Sequence, residues 1–166
     1  MMIDPKTDDT FRQITEHAIR NRVDDMARVI AEAGEKAYGQ IAGLVVQASA
    51  YIAIDASERW PNDADLREVA RIASESKASL PVTADEIHAY LSRVVFGTDR
   101  VDSVFGDAEK AALVPLYTLA NLLVAFKPPQ GKGWNDWLDV IESAIETADV
   151  VPGTAAPMVM NRYLKK

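Results

Sequence analysis

The chain has 166 residues, 48 % hydrophobic and 26 % charged, with no cysteine and a net charge of −7. That length and balance suit one globular domain over 1–166, able to bury roughly two thirds of the surface its unfolded form exposes. The missing cysteine excludes disulfides, thiolate metal sites and a cysteine nucleophile, and the acidic balance argues against general nucleic-acid backbone binding, which needs clustered Lys and Arg.

The first residues, MMIDPKTDDT, have no basic-then-apolar order, so no signal peptide is read there and a cytoplasmic location is expected. Residues 9–33 read as one long amphipathic helix, because Ile19, Val23, Met26, Ile30 and Ala33 recur at spacings that share a face. Phe11, Ile14 and Ala18 extend that face. Asp8 or Asp9 is the expected cap and Gly34 the expected stop. A single helix over about 10–59 is the competing pattern. Gly34, Gly39 and Gly43, each costing about 1 kcal/mol in a helix interior, argue for a break instead.

Residues 37–54 run for eighteen positions without a charged side chain and anchor a second helix over about 35–59, closed by Trp60-Pro61. Eighteen is near the lower limit for a membrane span, and Gly39-xxx-Gly43 is the close-approach pattern of such spans. Gln, Ser, Gly and Tyr dilute the stretch and no basic cluster flanks it. A buried helix of a soluble protein, away from any membrane, is therefore expected.

Asn62 and Asp63 open a third helix to about 76, burying Leu66, Val69, Ala70 and Ala73, and a loop is expected over 77–82. Thr83 and Glu86 form a capping-box pattern ahead of Ile87, Tyr90, Leu91, Val94 and Val95, which predicts a fourth helix ending at Gly97. After a connection at 97–106, a segment over about 107–126 holds sixteen uncharged residues, 111–126. Pro115 within it predicts a kink, or a short helix followed by a longer one. Lys127-Pro128-Pro129 ends it. A polar, glycine-rich loop at 130–133 precedes a last helix over about 134–149 that buries Trp134, Trp137, Leu138, Ile141 and Ile145. The tail at 150–166 is expected to be partly irregular, with one short helical turn near 158–164.

No β-alternating segment and no internal repeat interrupts this pattern. The expected fold is all-α: a compact single-domain bundle of five to seven helices, with 35–59 and 107–126 as the central apolar pair.

Catalytic patterns are weak. Asp85 lies three residues before His88 and Glu86 two before it, and an acid three positions from a histidine can share a metal. The second acid–histidine unit of a di-iron bundle is missing, since Ile14 stands three before His17. Gln130-Gly131-Lys132-Gly133 lacks the spacing of a phosphate loop and has no strand before it. No metal site and no cofactor is expected, and an enzyme using His88 is the least favoured reading.

Interaction patterns are better defined. Asp139, Glu142, Glu146 and Asp149, spaced three, four and three, put four carboxylates on one helical face, suited to water or a basic partner. Lys36, Gln40, Gln47, Tyr51, Asp55 and Glu58 fall within about 100° of one another on the second helix. Tyr117 and Asn121 are an i,i+4 pair on the other central helix. Buried without partners, such groups cost about 1–3 kcal/mol each, so they need water, a ligand or another chain. Trp134 and Trp137 are candidate interface anchors. The expected function is a non-catalytic, self-associating helical interaction or assembly protein, through Gly39, Gly43, Trp134, Trp137 and the acids Asp139, Glu142 and Glu146. Its partner would be a protein or a second copy of the chain. The alternative is a small-molecule pocket between the central helices, lined by Gln40, Gln47, Tyr51, Asp55, Tyr117 and Asn121.

Overall fold

Pro5 sets the start of the first helix. Its locked φ suits the first helical position, and the Asp4 carboxylate just ahead accepts the Thr7 N–H at 3.0 Å. The computed structural model describes residues 3–76, 81–96, 108–129 and 131–148. Among them run seven helices: α1 (Pro5–Ile19), α2 (Val23–Ala33), α3 (Glu35–Ser57), α4 (Asp63–Ser74), α5 (Ala84–Phe96), α6 (Ala108–Ala125) and α7 (Trp134–Ala148). No strand occurs among the described residues, so the fold is the all-α bundle expected. Most of the 77–82 loop, the 97–106 connection, Asp149 and the 150–166 tail lie outside the described residues.

The expected single helix over 9–33 is in fact two helices, and the cap is Asp4 rather than Asp8 or Asp9. Asn21 adopts a left-handed conformation (φ 55°), the Arg22 N–H reaches back to the His17 carbonyl at 2.8 Å, and the Asn21 N–H reaches Ala18 at 3.1 Å. These paired bonds are a Schellman ending with asparagine in glycine's usual place. The apolar spacing misled because both helices turn the same kind of face inward: Phe11, Ile14 and Ala18 on α1 and Met26 on α2 are buried. Gly34, at φ 87°, makes the second break where expected.

α3 packs against each of the other six helices, which makes it the centre of the bundle. Leu44, Val45, Ala48, Ala50 and the whole run 51–54 are buried. It is long and apolar enough to cross a membrane by length and composition, and 61 % of its most apolar window is buried against its neighbours. It ends at Ser57, with Glu58 left-handed, just before Trp60-Pro61.

α4 and α5 begin as the sequence predicts. Asn62 and Asp65 cap each other at 2.9 and 3.0 Å, and Thr83 and Glu86 do the same at 3.1 Å. Leu66, Val69, Ala70 and Ala73 are buried on α4, and Ile87, Tyr90, Leu91 and Val95 on α5, while Val94 is half-buried.

α6 runs unbroken through Pro115, so the expected division into a short and a longer helix does not occur. The lost hydrogen bond and ring clash cost about 3 kcal/mol. Burying Val114, Leu116, Leu119, Leu122 and Leu123 returns roughly 1.5–3 kcal/mol for each side chain. Packing wins. On α7, Trp137, Leu138, Ile141 and Ile145 are buried, but Trp134 is only half-buried at the helix start, a correction that removes the crowding its spacing implies.

Candidate functional site

The two polar stripes do not converge. On α3, Gln40 is exposed and its Oε1 accepts from Thr7 Oγ1 of α1 at 3.2 Å. Asp55 is half-buried at the other end, while Gln47 and Tyr51 between them are buried. The middle of the stripe is covered by α7, whose Trp137 ring meets Tyr51 edge-on with centroids 6.5 Å apart and planes at 78°. On α6, the Asn121 amide donates to the Tyr117 carbonyl at 3.0 Å, and its Oδ1 accepts from Ser76 Oγ at the end of α4 at 2.5 Å. The chain's own helices thus take up the polar groups of this stripe that were candidates to line a pocket.

The opening between the central helices is apolar instead. Tyr38, Ile41, Ala42, Val45 and Val46 of α3 face Ala111, Ala112, Pro115 and Leu116 of α6 across a half-open groove of about 170 Å³. None of Gln40, Gln47, Tyr51, Asp55, Tyr117 and Asn121 lines it. Ala42 and Ala112 are exposed at its edges, as is the adjacent Gly39, where an added Cβ would meet open space. Gly43 is half-exposed on the same helix. Sequence reading found the glycines and missed the groove. Ala111, Ala112 and Pro115 pattern like any core segment until the neighbouring helix is in place.

The acidic face of α7 meets α1 across an antiparallel register. The Arg12 guanidinium contacts Asp139 at 2.7 Å and Glu142 at 2.8 Å across the interface, and Asp8 on its own helix at 3.0 Å. Its other terminal nitrogen reaches the Asn135 side chain at 3.1 Å. One turn further, exposed Glu146 accepts the Ile3 N–H at 3.2 Å. The Arg12 and Glu142 side chains are only 22 % and 13 % exposed, so that pair is partly withdrawn from water, while Asp139 at the rim stays exposed. Burial pushes Glu142 up, to about 8, and a hydrogen bond to Asp8 adds to the shift against the opposing pull of Arg12. Burial also works to raise Asp8, but bonds from Glu142 and Arg12 outweigh it and hold that carboxyl below its ordinary range. Arg12 carried no motif in the sequence. Only the long-range pairing identifies it.

His88 pairs with neither Asp85 nor Glu86. Its Nε2 lies 2.8 Å from Asp63 Oδ1 at the start of α4, and Ser92 Oγ approaches the same nitrogen at 3.4 Å. A nucleophile relay needs the acid and the hydroxyl on opposite ring nitrogens, so this trio is not one. The hydrogen bond from His88 holds the Asp63 carboxyl below its usual range, with Arg67 adding to the effect. Glu86 is engaged in its capping box and by Lys110 at 3.5 Å. Among the described residues no group of three or more His, Asp or Glu side chains is placed to hold a metal ion.

The glycine-rich loop before α7 is also filled from within. The backbone N–H groups of Lys132 and Gly133 donate to Asp136 Oδ2 at 2.7 and 2.9 Å, and these bonds hold the Asp136 carboxyl below its usual range. A helix N-terminus that would otherwise attract an anion has one of its own. Gly131 sits at φ 88°, and a Cβ there would collide with the Asp136 side chain. Gly131→Ala is therefore expected to lower the unfolding free energy by about 1–3 kcal/mol, read by urea titration. A loss under about 0.5 kcal/mol would show that the loop relaxes freely.

No protein-family model, no curated protein and no solved structure matches the chain.

Proposed function

We propose that the chain is a non-catalytic helical interaction module that self-associates through the apolar groove between α3 and α6. The observation that carries this reading is the groove itself, an opening between the two most apolar helices rimmed by small residues. Its volume of about 170 Å³ is below the roughly 300–1,000 Å³ of typical small-molecule sites. It is close to the size of a cavity that takes one benzene-sized group, about 150 Å³. One large apolar side chain from a second copy fits that space better than a metabolite does. Gly39 and Ala42 beside it allow two backbones to approach closely. Tyr38 at the groove is the kind of aromatic that anchors interface cores.

Sedimentation velocity from low to high micromolar concentration tests the reading. The intact chain is expected to dimerise, and Ala42→Glu to weaken that dimer by at least about tenfold, or 1.4 kcal/mol. Because Ala42 is exposed, the variant's thermal melt should stay within about 0.5 kcal/mol of the parent's. A strict monomer at high micromolar concentration overturns the proposal. The runner-up, a small apolar ligand in the same groove, predicts a bound mass in native mass spectrometry that Ala42→Glu removes.

A further inference from the structure

Three carboxylates converge on the single guanidinium of Arg12, so the cluster carries more negative than positive charge when every acid is ionised. Oε1 of Glu142 is buried and, as a carboxylate oxygen, has no hydrogen-bond partner. Protonated, the same carboxyl can donate to Asp8 while its other oxygen keeps Arg12. We infer that a proton shared between Glu142 and Asp8 latches α7 onto α1, and that its loss loosens α7 from the bundle.

The charged groups acting on Glu142 are Asp8 and Arg12, both from α1. On α7 itself, Asp139 shares Arg12 and Glu146 follows one turn on. On the other helices α7 meets Tyr51 of α3 and the Phe126 carbonyl just beyond α6, which accepts from Trp137 Nε1 at 2.8 Å, both neutral near pH 7, and Asp55 lies one turn beyond Tyr51 on α3. The α1–α7 contact is thus where proton count and docking meet. The raised position of Glu142, about 8 against an ordinary 4.5, sets the window. Between those values the docked state holds one proton that the released state has lost. Opening of α7 therefore grows with pH across that window and levels off above it, by up to about tenfold per pH unit. Release would uncover Tyr51 and the Trp137 ring, turning a covered aromatic pair into an accessible face.

Hydrogen–deuterium exchange of the intact chain, from about pH 5 to about pH 9 and corrected for intrinsic rates, reads α7 against α5 in the same molecule. In the parent, α7 protection is expected to fall across the window by up to about tenfold per pH unit while α5 holds. Glu142→Gln keeps a neutral donor at this position and should flatten the α7 profile. Asp8→Asn removes the acceptor and the opposing charge, so it should make the fall shallower while burial of Glu142 keeps part of it, and it decides the matter if the first variant does not fold. A parent-like profile in the folded variants, or α7 and α5 losing protection together, overturns the inference.

Discussion

Trp137→Ala is expected to lower the unfolding free energy by about 3–5 kcal/mol, measured by urea denaturation followed by circular dichroism. The ring is 1 % exposed, and three things fail together when it is removed. A large apolar volume is emptied, and the neighbouring helices close over it only in part. The edge-on contact with Tyr51 disappears, a geometry worth about 0.5–1.5 kcal/mol beyond area burial. The Phe126 carbonyl also loses the indole N–H that ties the end of α6 to α7. Trp137→Phe separates these contributions, since it keeps an aromatic ring and removes the donor. It should cost about 1–3 kcal/mol, the penalty of an unpaired buried polar group plus a smaller void. A loss below about 1 kcal/mol for the alanine variant would mean that α7 is not integral to the core. α7 is only 15 residues long, a length at which an isolated helix is marginal in water, so its helicity depends on this anchor.

Arg12→Met is the second large effect. Removing one partner of a buried ion pair typically costs about 3–5 kcal/mol, and the partial opening of this cluster to water places the expected loss near about 3 kcal/mol. Methionine keeps most of the aliphatic stem, so the loss reports on charge rather than packing. Three carboxyl groups are then left facing one another with no cation, and removing one of them with Glu142→Gln in the same chain should recover part of the loss. Arg20→Met supplies the comparison. Arg20 also pairs with a glutamate, Glu16, at 3.2 Å, but its side chain is 55 % exposed, against 22 % for Arg12. Exposed pairs contribute about 0–1 kcal/mol, so that variant should be nearly silent. Equal losses in the two variants would sink the claim that the partly buried Arg12 cluster between α1 and α7 is structurally important.

The pH dependence of α7 docking has the same origin. Glu142 sits above its ordinary value when folded, so its contribution is fully present below about pH 4.5 and is lost as pH rises to about 8. Asp8 sits below its ordinary 3.8, so its contribution is present above that value and lost in stronger acid. The two together place the cluster's best pH on the acid side of neutral.

Local signals in the sequence were sufficient wherever neighbouring residues decide the structure. The eighteen uncharged residues at 37–54 marked the central helix, because a charge-free turn all round can be satisfied only by burial. Asn62 with Asp63, and the pair Thr83/Glu86, marked two helix starts, because capping is a bond between residues close in sequence. Gly34 marked a break, because a left-handed conformation suits glycine. Asn21 performs the same task less visibly, and that is why one expected helix became two.

Only the assembled bundle decided what each helix face meets. Gln47 and Tyr51 pattern like a solvent edge, yet both are buried, Tyr51 against Trp137 of α7, and no spacing within α3 records where a helix some ninety residues away will dock. Arg12 is one basic residue among eighteen until Asp139 and Glu142 arrive from the other end of the chain. The groove lies between the first halves of α3 and α6, and such an opening depends on how two apolar surfaces fit rather than on how apolar either is. Hydrophobic periodicity reports that a face is buried. The partner that buries it is a property of the tertiary structure.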